Sequence, residues 1–226
     1  MSYPDQKSVC RIALMRGWAL GLLSLVLFYV AGCNVIGAIA SSTAPDPTTP
    51  PQYVPTTEPM VVIAENWHNP VGSNVDAEEL GRYVYDTLIE NSVGQQIDPI
   101  TVIDLKSRNP DEFHSLSIAG IGKTVGAKQV LYINITDSSL IGPQGSDSLY
   151  GKCSARVKIV DVGSGQARWP LDAADGFPVF VQTDPTPIHS DMDETTLRQT
   201  LQQKAARRIA GLFYAAPSEK KSELPD

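Results

Sequence analysis

The sequence predicts an α/β domain: a mixed β-sheet with helices packed on it, in the order β-α-β-α-β-β-β-α. This domain follows an N-terminal signal or anchor and a proline-rich tether. Three observations predict it. Short β-branched runs alternate with stretches whose apolar residues return every three or four positions, which is the pattern of strands interleaved with amphipathic helices. Capping residues and glycines mark the changes between them. A basic head, an uncharged run and then a proline-rich run occupy the first 59 residues, and with a ten-residue polar tail set aside about 155 remain for one core, enough for a single domain.

The N-terminal head carries Lys7, Arg11 and Arg16, and Trp18 to Val30 (WALGLLSLVLFYV) follows without a charge. That is the build of a signal peptide, a basic start and an apolar centre. It ends in Val30-Ala31-Gly32-Cys33, which resembles the bacterial lipobox: an aliphatic residue, two small ones for the narrow pockets of a peptidase, then cysteine. The resemblance implies cleavage before Cys33, a diacylglyceryl thioether on its sulfur and an acyl chain on its freed amine. Two or three chains anchor stably where one does not. Residues 1–32 are then signal peptide and Cys33 is the lipidation site. The alternative is a single-pass helix, because Gly17 to Ala40 is uncharged and long enough to span roughly 30 Å of hydrocarbon. Positive charges ahead of the apolar run put the remainder outside the inner membrane in both cases. Cys10 leaves with the signal peptide, and Cys153 remains as a lone, inert thiol.

Residues 33–59 read as a tether. Ser41 to Pro59 holds six prolines with serines and threonines and few aliphatic side chains, so it favours an extended, semi-rigid chain that orders nothing. The chain has 18 Lys+Arg against 25 Asp+Glu, a net charge of −7, which excludes a nucleic-acid surface carried by the whole domain.

The globular domain is expected over residues 60–216. Met60 to Asn66 (MVVIAEN) reads as a buried strand. A helix follows, capped by Asn74 or Asp76, with a stripe of Leu80, Tyr83, Val84, Thr87, Leu88 and Asn91, and Gly94 ends it. Ile100 to Leu105 (ITVIDL) reads as the second strand. Asn109-Pro110-Asp111-Glu112 opens the second helix with a cap, a proline at the first position and acids in the first turn. It runs through Phe113, Leu116, Ile118 and Ile121 to Gly126, ahead of a third strand, Val130 to Thr136. Ser138 to Tyr150 reads as a Gly/Ser/Asp-rich loop. Lys152 to Val162 alternates, with Cys153, Ala155, Val157 and Ile159 on one face and Ser154, Arg156, Lys158 and Val160 on the other. Gly163-Ser164-Gly165 is a hairpin turn into Ala167 to Pro170, and Gly176 to Gln182 is a short strand. The last helix carries Leu197, Leu201, Ala205, Ile209 and Leu212, and residues 217–226 read as a disordered tail.

Within this order, Gly120 to Thr124 (GIGKT) imitates the end of a phosphate-binding loop. A true loop follows a strand and opens a helix, so that phosphate meets the helix N-terminus. This one closes a helix and leads into a strand, and Ser117 stands where the first glycine belongs. No nucleotide is expected.

Gly126-Ala127 before a strand, Val160-Asp161 with Gly165 at a turn, and Trp169 at the end of the return strand resemble the periplasmic domains of a group of bacterial lipoproteins. The group includes the curli-secretion subunit, the N-terminal domain of the Tol propeller protein and the lipoprotein activators of penicillin-binding proteins. The resemblance covers about Met60 to Tyr214 and implies a mixed sheet and a role in envelope assembly or protein contacts.

No catalytic constellation emerges. His68, His114 and His189 share no ligand spacing. Asp191, Asp193 and Glu194 sit where helix caps belong, no serine lies in G-x-S-x-G, and Cys153 has no adjacent base. Asn134-Ile135-Thr136 is a sequon set inside a strand, and Trp169 reads as a core or edge aromatic. The expectation is therefore no enzyme, no cofactor and no metal. What remains is a membrane-anchored binding or assembly module facing the periplasm, with an envelope protein as partner. Asn34 in place of aspartate after the cysteine favours the outer membrane. The competing reading is a ligand-binding protein or hydrolase using the loops at His68 and Ser138 to Tyr150.

Overall fold

The computed structural model describes residues 48–66, 74–142, 148–187 and 194–217, and these described residues cluster as one compact unit. Its main sheet is mixed. Strand β2 (Pro59–Glu65) lies between β3 (Gln95–Ile97) and β4 (Gln129–Ile141), parallel to both. The long β5 (Ser148–Asp161) runs antiparallel to β4. Along its other side β5 pairs with β6 (Ala167–Trp169), β7 (Phe177–Gln182) and β8 (Thr186–Pro187). A separate ribbon joins β1 (Thr48–Thr49) to β9 (Ala216–Pro217). The predicted fold class holds.

Alternation of side chains divides the core between the two sheet faces. On one, Met60, Val62, Leu131, Ile133, Val157 and Ile159 meet α1 (Asn74–Glu90) and α5 (Glu194–Ala210). Helix α1 contributes Leu80, Val84 and Leu88, and α5 contributes Leu201, Ala205 and Ile209, as their spacing predicts; Leu197 is buried too. On the other face, Val61, Ile63, Val130, Tyr132 and Val160 are covered by α2 (Ile100–Arg108), α3 (Pro110–Ser115) and α4 (Ile118–Thr124).

Several expectations are corrected. Ile100 to Leu105 is helical, and the second strand is the preceding Gln95–Ile97. Asp98 and Pro99 explain this: the Asp98 carboxylate accepts from the Ile100 N–H at 2.9 Å, and Pro99 already has helical φ −57 and ψ −19. The second helix is two short ones, because Leu116 is extended and Ser117 caps afresh, accepting from the Gly120 N–H at 3.1 Å. Helix α1 ends at Glu90, and Ser92 rather than Gly94 takes the left-handed position that closes it. Ser92 takes φ +55, while the Val93 and Ser92 amides reach back to the carbonyls of Leu88 and Ile89 in a Schellman arrangement. Ser138–Ile141 and Tyr150 are paired strand rather than loop, as are Ser148 and Leu149, which pair with β8.

The tether also needs correction. Residues 48–58 form a strap lying on the domain. Pro55 is buried, Tyr53 packs on Trp169 with ring centroids 6.2 Å apart, and the Gln52 amide donates to the Leu212 carbonyl at 2.8 Å. Of the expected tail, Pro217 is paired with Thr48 in the β1–β9 ribbon, and residues 218–226 lie outside the described part.

Candidate functional site

Cys33, His68, His189, Asp191 and Asp193 lie outside the described residues. His114 is exposed on α3, edge-on to Phe113 at 6.0 Å, and Glu194 is exposed at the start of α5. Cys153 is buried in mid-strand, and burial, with the Asp137 charge second, pushes its thiol up to about 11. It therefore stays protonated and unreactive near neutrality. Asn134 is half-buried opposite Arg156, and the Thr136 hydroxyl donates to the Ser154 carbonyl at 3.1 Å, so the sequon is part of the sheet. Among the described residues no three His, Cys, Asp or Glu side chains group so as to hold a metal.

GIGKT ends α4 as expected. The amides of Ala127 and Gly126 bond the carbonyls of Gly122 and Lys123 at 2.8 and 3.2 Å, with Gly126 at φ +79. Gly122 serves packing: a Cβ there would meet Val130 Cγ2 at 2.6 Å and Val162 Cγ2 at 2.7 Å. Lys123 points to solvent in the last turn.

The most connected polar group is structural. Arg168 bonds the Glu58 carboxylate at 2.9 Å and also the Asp161 carboxylate, joining the strap to the β5–β6 hairpin. Asp161 also accepts from the Ser164 hydroxyl at 2.7 Å and its N–H at 2.6 Å. The Ser164 hydroxyl, the Ser164 N–H and then Arg168 hold the Asp161 carboxyl down to about 2. Arg168, followed by the Thr56 hydroxyl, lowers Glu58 too. Trp169 lies beside this clasp, stacked on Phe177 at 5.1 Å and edge-on to Phe213 at 5.6 Å.

In parallel α/β arrangements ligands sit beyond the carboxyl ends of strands. The hollow there, lined by Glu65, Glu78, Lys106 and Phe113, measures only about 30 Å³, room for a water. Lys106 and Glu78 face it already paired at 3.1 Å. Two surfaces offer more. The first is the outer face of the β4–β5–β7 ribbon, beyond the cover of α2–α4. Arg156 is exposed there, and Phe180, directly across from Ser154, keeps 56% of its surface in solvent. The second is a cleft of about 680 Å³ at the end of α5, with Phe177, Leu212 and Tyr214 among its walls and Lys204, Arg207, Arg208 and Glu90 as its charges. Burial, then the Glu90 charge, raises the Tyr214 hydroxyl above its ordinary range. Sequence reasoning missed this cleft, since its lining residues, from Thr49 to Pro217, are far apart in the chain and only the fold brings them together.

No family model matches the sequence, and no curated protein matches it. Among solved structures it is similar to lipoprotein GNA1162 from Neisseria meningitidis, 16% identical over 68% of this chain and 98% of that one, TM-score 0.43. It is similar also to the PelC dodecamer from Paraburkholderia phytofirmans, 13% identical over 75% and 97%, TM-score 0.39. The LpoB C-terminal domain from Salmonella enterica is 15% identical over 59% and 87%, TM-score 0.37. Superpositions this loose transfer no role, and function rests on the chain's own residues.

Proposed function

We propose that the protein is a lipid-anchored module of a bacterial cell envelope that works by binding a protein partner, with no catalytic step. The observation that carries it is the run Trp18 to Cys33, a basic-headed apolar segment ending in an aliphatic residue, two small residues and cysteine. Residues 1–32 are the signal peptide, Cys33 is acylated, and the domain faces the periplasm, on the outer membrane in view of Asn34. Partner binding is supported by the outer face of the β4–β5–β7 ribbon, where an aromatic ring, Phe180, stands exposed on a regular strand instead of in a core. The described polar clusters support it too, since their groups are occupied in holding the fold.

The test is metabolic labelling with palmitate. Cys33→Ser should abolish incorporation and leave an uncleaved precursor. Equal labelling of both forms, or none in the parent, would sink the lipoprotein reading and favour the single-pass anchor over Gly17 to Ala40.

A further inference from the structure

We infer that the cleft at the end of α5 seats acidic phospholipid headgroups of the leaflet that holds the anchor; this rests on Cys33 being acylated. Three cations, Lys204, Arg207 and Arg208, line one opening, against Glu90 as its single carboxylate, in a chain whose net charge is −7. Among the described residues none of the three forms an ion pair. A helix C-terminus favours cations anywhere around its last turns, but here all three border the same cleft. Guanidinium forks and a lysine ammonium in an opening of about 680 Å³ suit a phosphodiester with its glycerol.

The path of the chain gives the second argument. Thr49 and Gln52 line this cleft, and β1 pairs with β9 at its wall, so the segment descending from Cys33 enters the domain here. Residues 34–47 span at most roughly 50 Å even when fully extended. The anchor therefore keeps this end of the domain within reach of the headgroups. An anionic leaflet attracts a basic cluster within about a Debye length, roughly 10 Å, and repels the acidic remainder. The domain then settles with the cleft towards the membrane.

Hydrogen exchange of the full acylated chain in nanodiscs tests this, with phosphatidylcholine alone or mixed with phosphatidylglycerol. Amides of residues 204–217 should exchange about tenfold more slowly in the anionic discs. The protection should vanish at roughly 0.5 M salt, where screening is short-ranged. It should be lost in the combined Lys204→Glu, Arg207→Glu, Arg208→Glu variant and kept in Arg207→Lys, Arg208→Lys, which retains charge and guards against a folding artefact. Equal exchange in both discs overturns the inference while leaving the anchor intact, as does protection reproduced by inorganic phosphate in neutral discs. Failure to enter either disc defeats the anchor reading and this inference with it.

Discussion

Asp161 closes the β5–β6 turn and grips Arg168, and its carboxyl ionises near 2 instead of at the ordinary 3.8 because the Ser164 hydroxyl and N–H, then Arg168, favour the charged form. The folded state thus releases this proton more readily than the unfolded chain. The stability it contributes is full above about pH 4 and is lost as pH falls towards 2. Asp161→Asn should lower the melting temperature at pH 7, and the gap to the parent should close between about pH 4 and 2. A gap that stays constant over that range would show that the substitution acts through shape. The turn itself was legible from Gly163-Ser164-Gly165. The clasp was not, since Glu58 lies more than a hundred residues from Asp161, and no local pattern links a residue in a proline-rich run to a hairpin.

Elements with a strong period were legible where one face is buried. Leu80, Val84 and Leu88 of α1 and Leu201, Ala205 and Ile209 of α5 lie on the sheet as their spacing demands, whereas Asn91 is exposed past the end of α1 and Leu212 follows the end of α5; β5 sends Cys153, Ala155, Val157 and Ile159 inward together. ITVIDL shows where this reasoning stops. β-branched residues favour strands only if a sheet receives them, whereas Asp98 and Pro99 supply a helix start immediately upstream, and α2 then buries Val102. The division at Leu116 escaped notice because Ser117 reads as an ordinary helical residue until its hydroxyl caps Gly120. GIGKT yields a prediction at this scale. Gly122 lets α4 rest against β4 and the turn that follows β5, and a methyl there would overlap the side chains of Val130 and Val162, which face it from these two segments. Gly122→Ala should cost about 1–3 kcal/mol, the usual penalty of overpacking, despite alanine's better helix propensity. Denaturant unfolding measures it. A neutral or stabilising outcome would mean that α4 sits more loosely on the sheet than these distances imply.

For the whole molecule, the domain extends further back than its β-branched start at Met60 suggests. Proline-rich composition marks chain that cannot form its own core, yet such chain can still lie on a core formed by others. Tyr53 does so, packing on Trp169, which in turn touches Phe177 and Phe213 beside the clasp, and Pro55 is itself buried. The candidate cleft follows the same rule: its walls come from β1, α1, α5 and β9, brought together only by the fold. A domain beginning at Met60 therefore loses more than a tether. Gln129 is fully buried, and its amide donates to the carbonyls of Thr56 and Glu58, both at 2.9 Å. Without the strap that amide has neither acceptor, and an unmet buried donor costs about 1–3 kcal/mol. Arg168 would lose Glu58 as well, though this exposed pair contributes little. Exposing the aromatic cluster adds a hydrophobic loss of similar order. The chain beginning at Thr48 should melt cooperatively, and the one beginning at Met60 should melt several degrees lower and be prone to aggregate. Gln129→Leu should narrow the difference, because an apolar side chain leaves no donor unpaired when the strap is gone. Thermal melts of the two truncations, each with and without Gln129→Leu, decide it. Equal melting of the two truncations would mean that the strap rests on the domain without stabilising it, and that the fold is complete from Met60 onward.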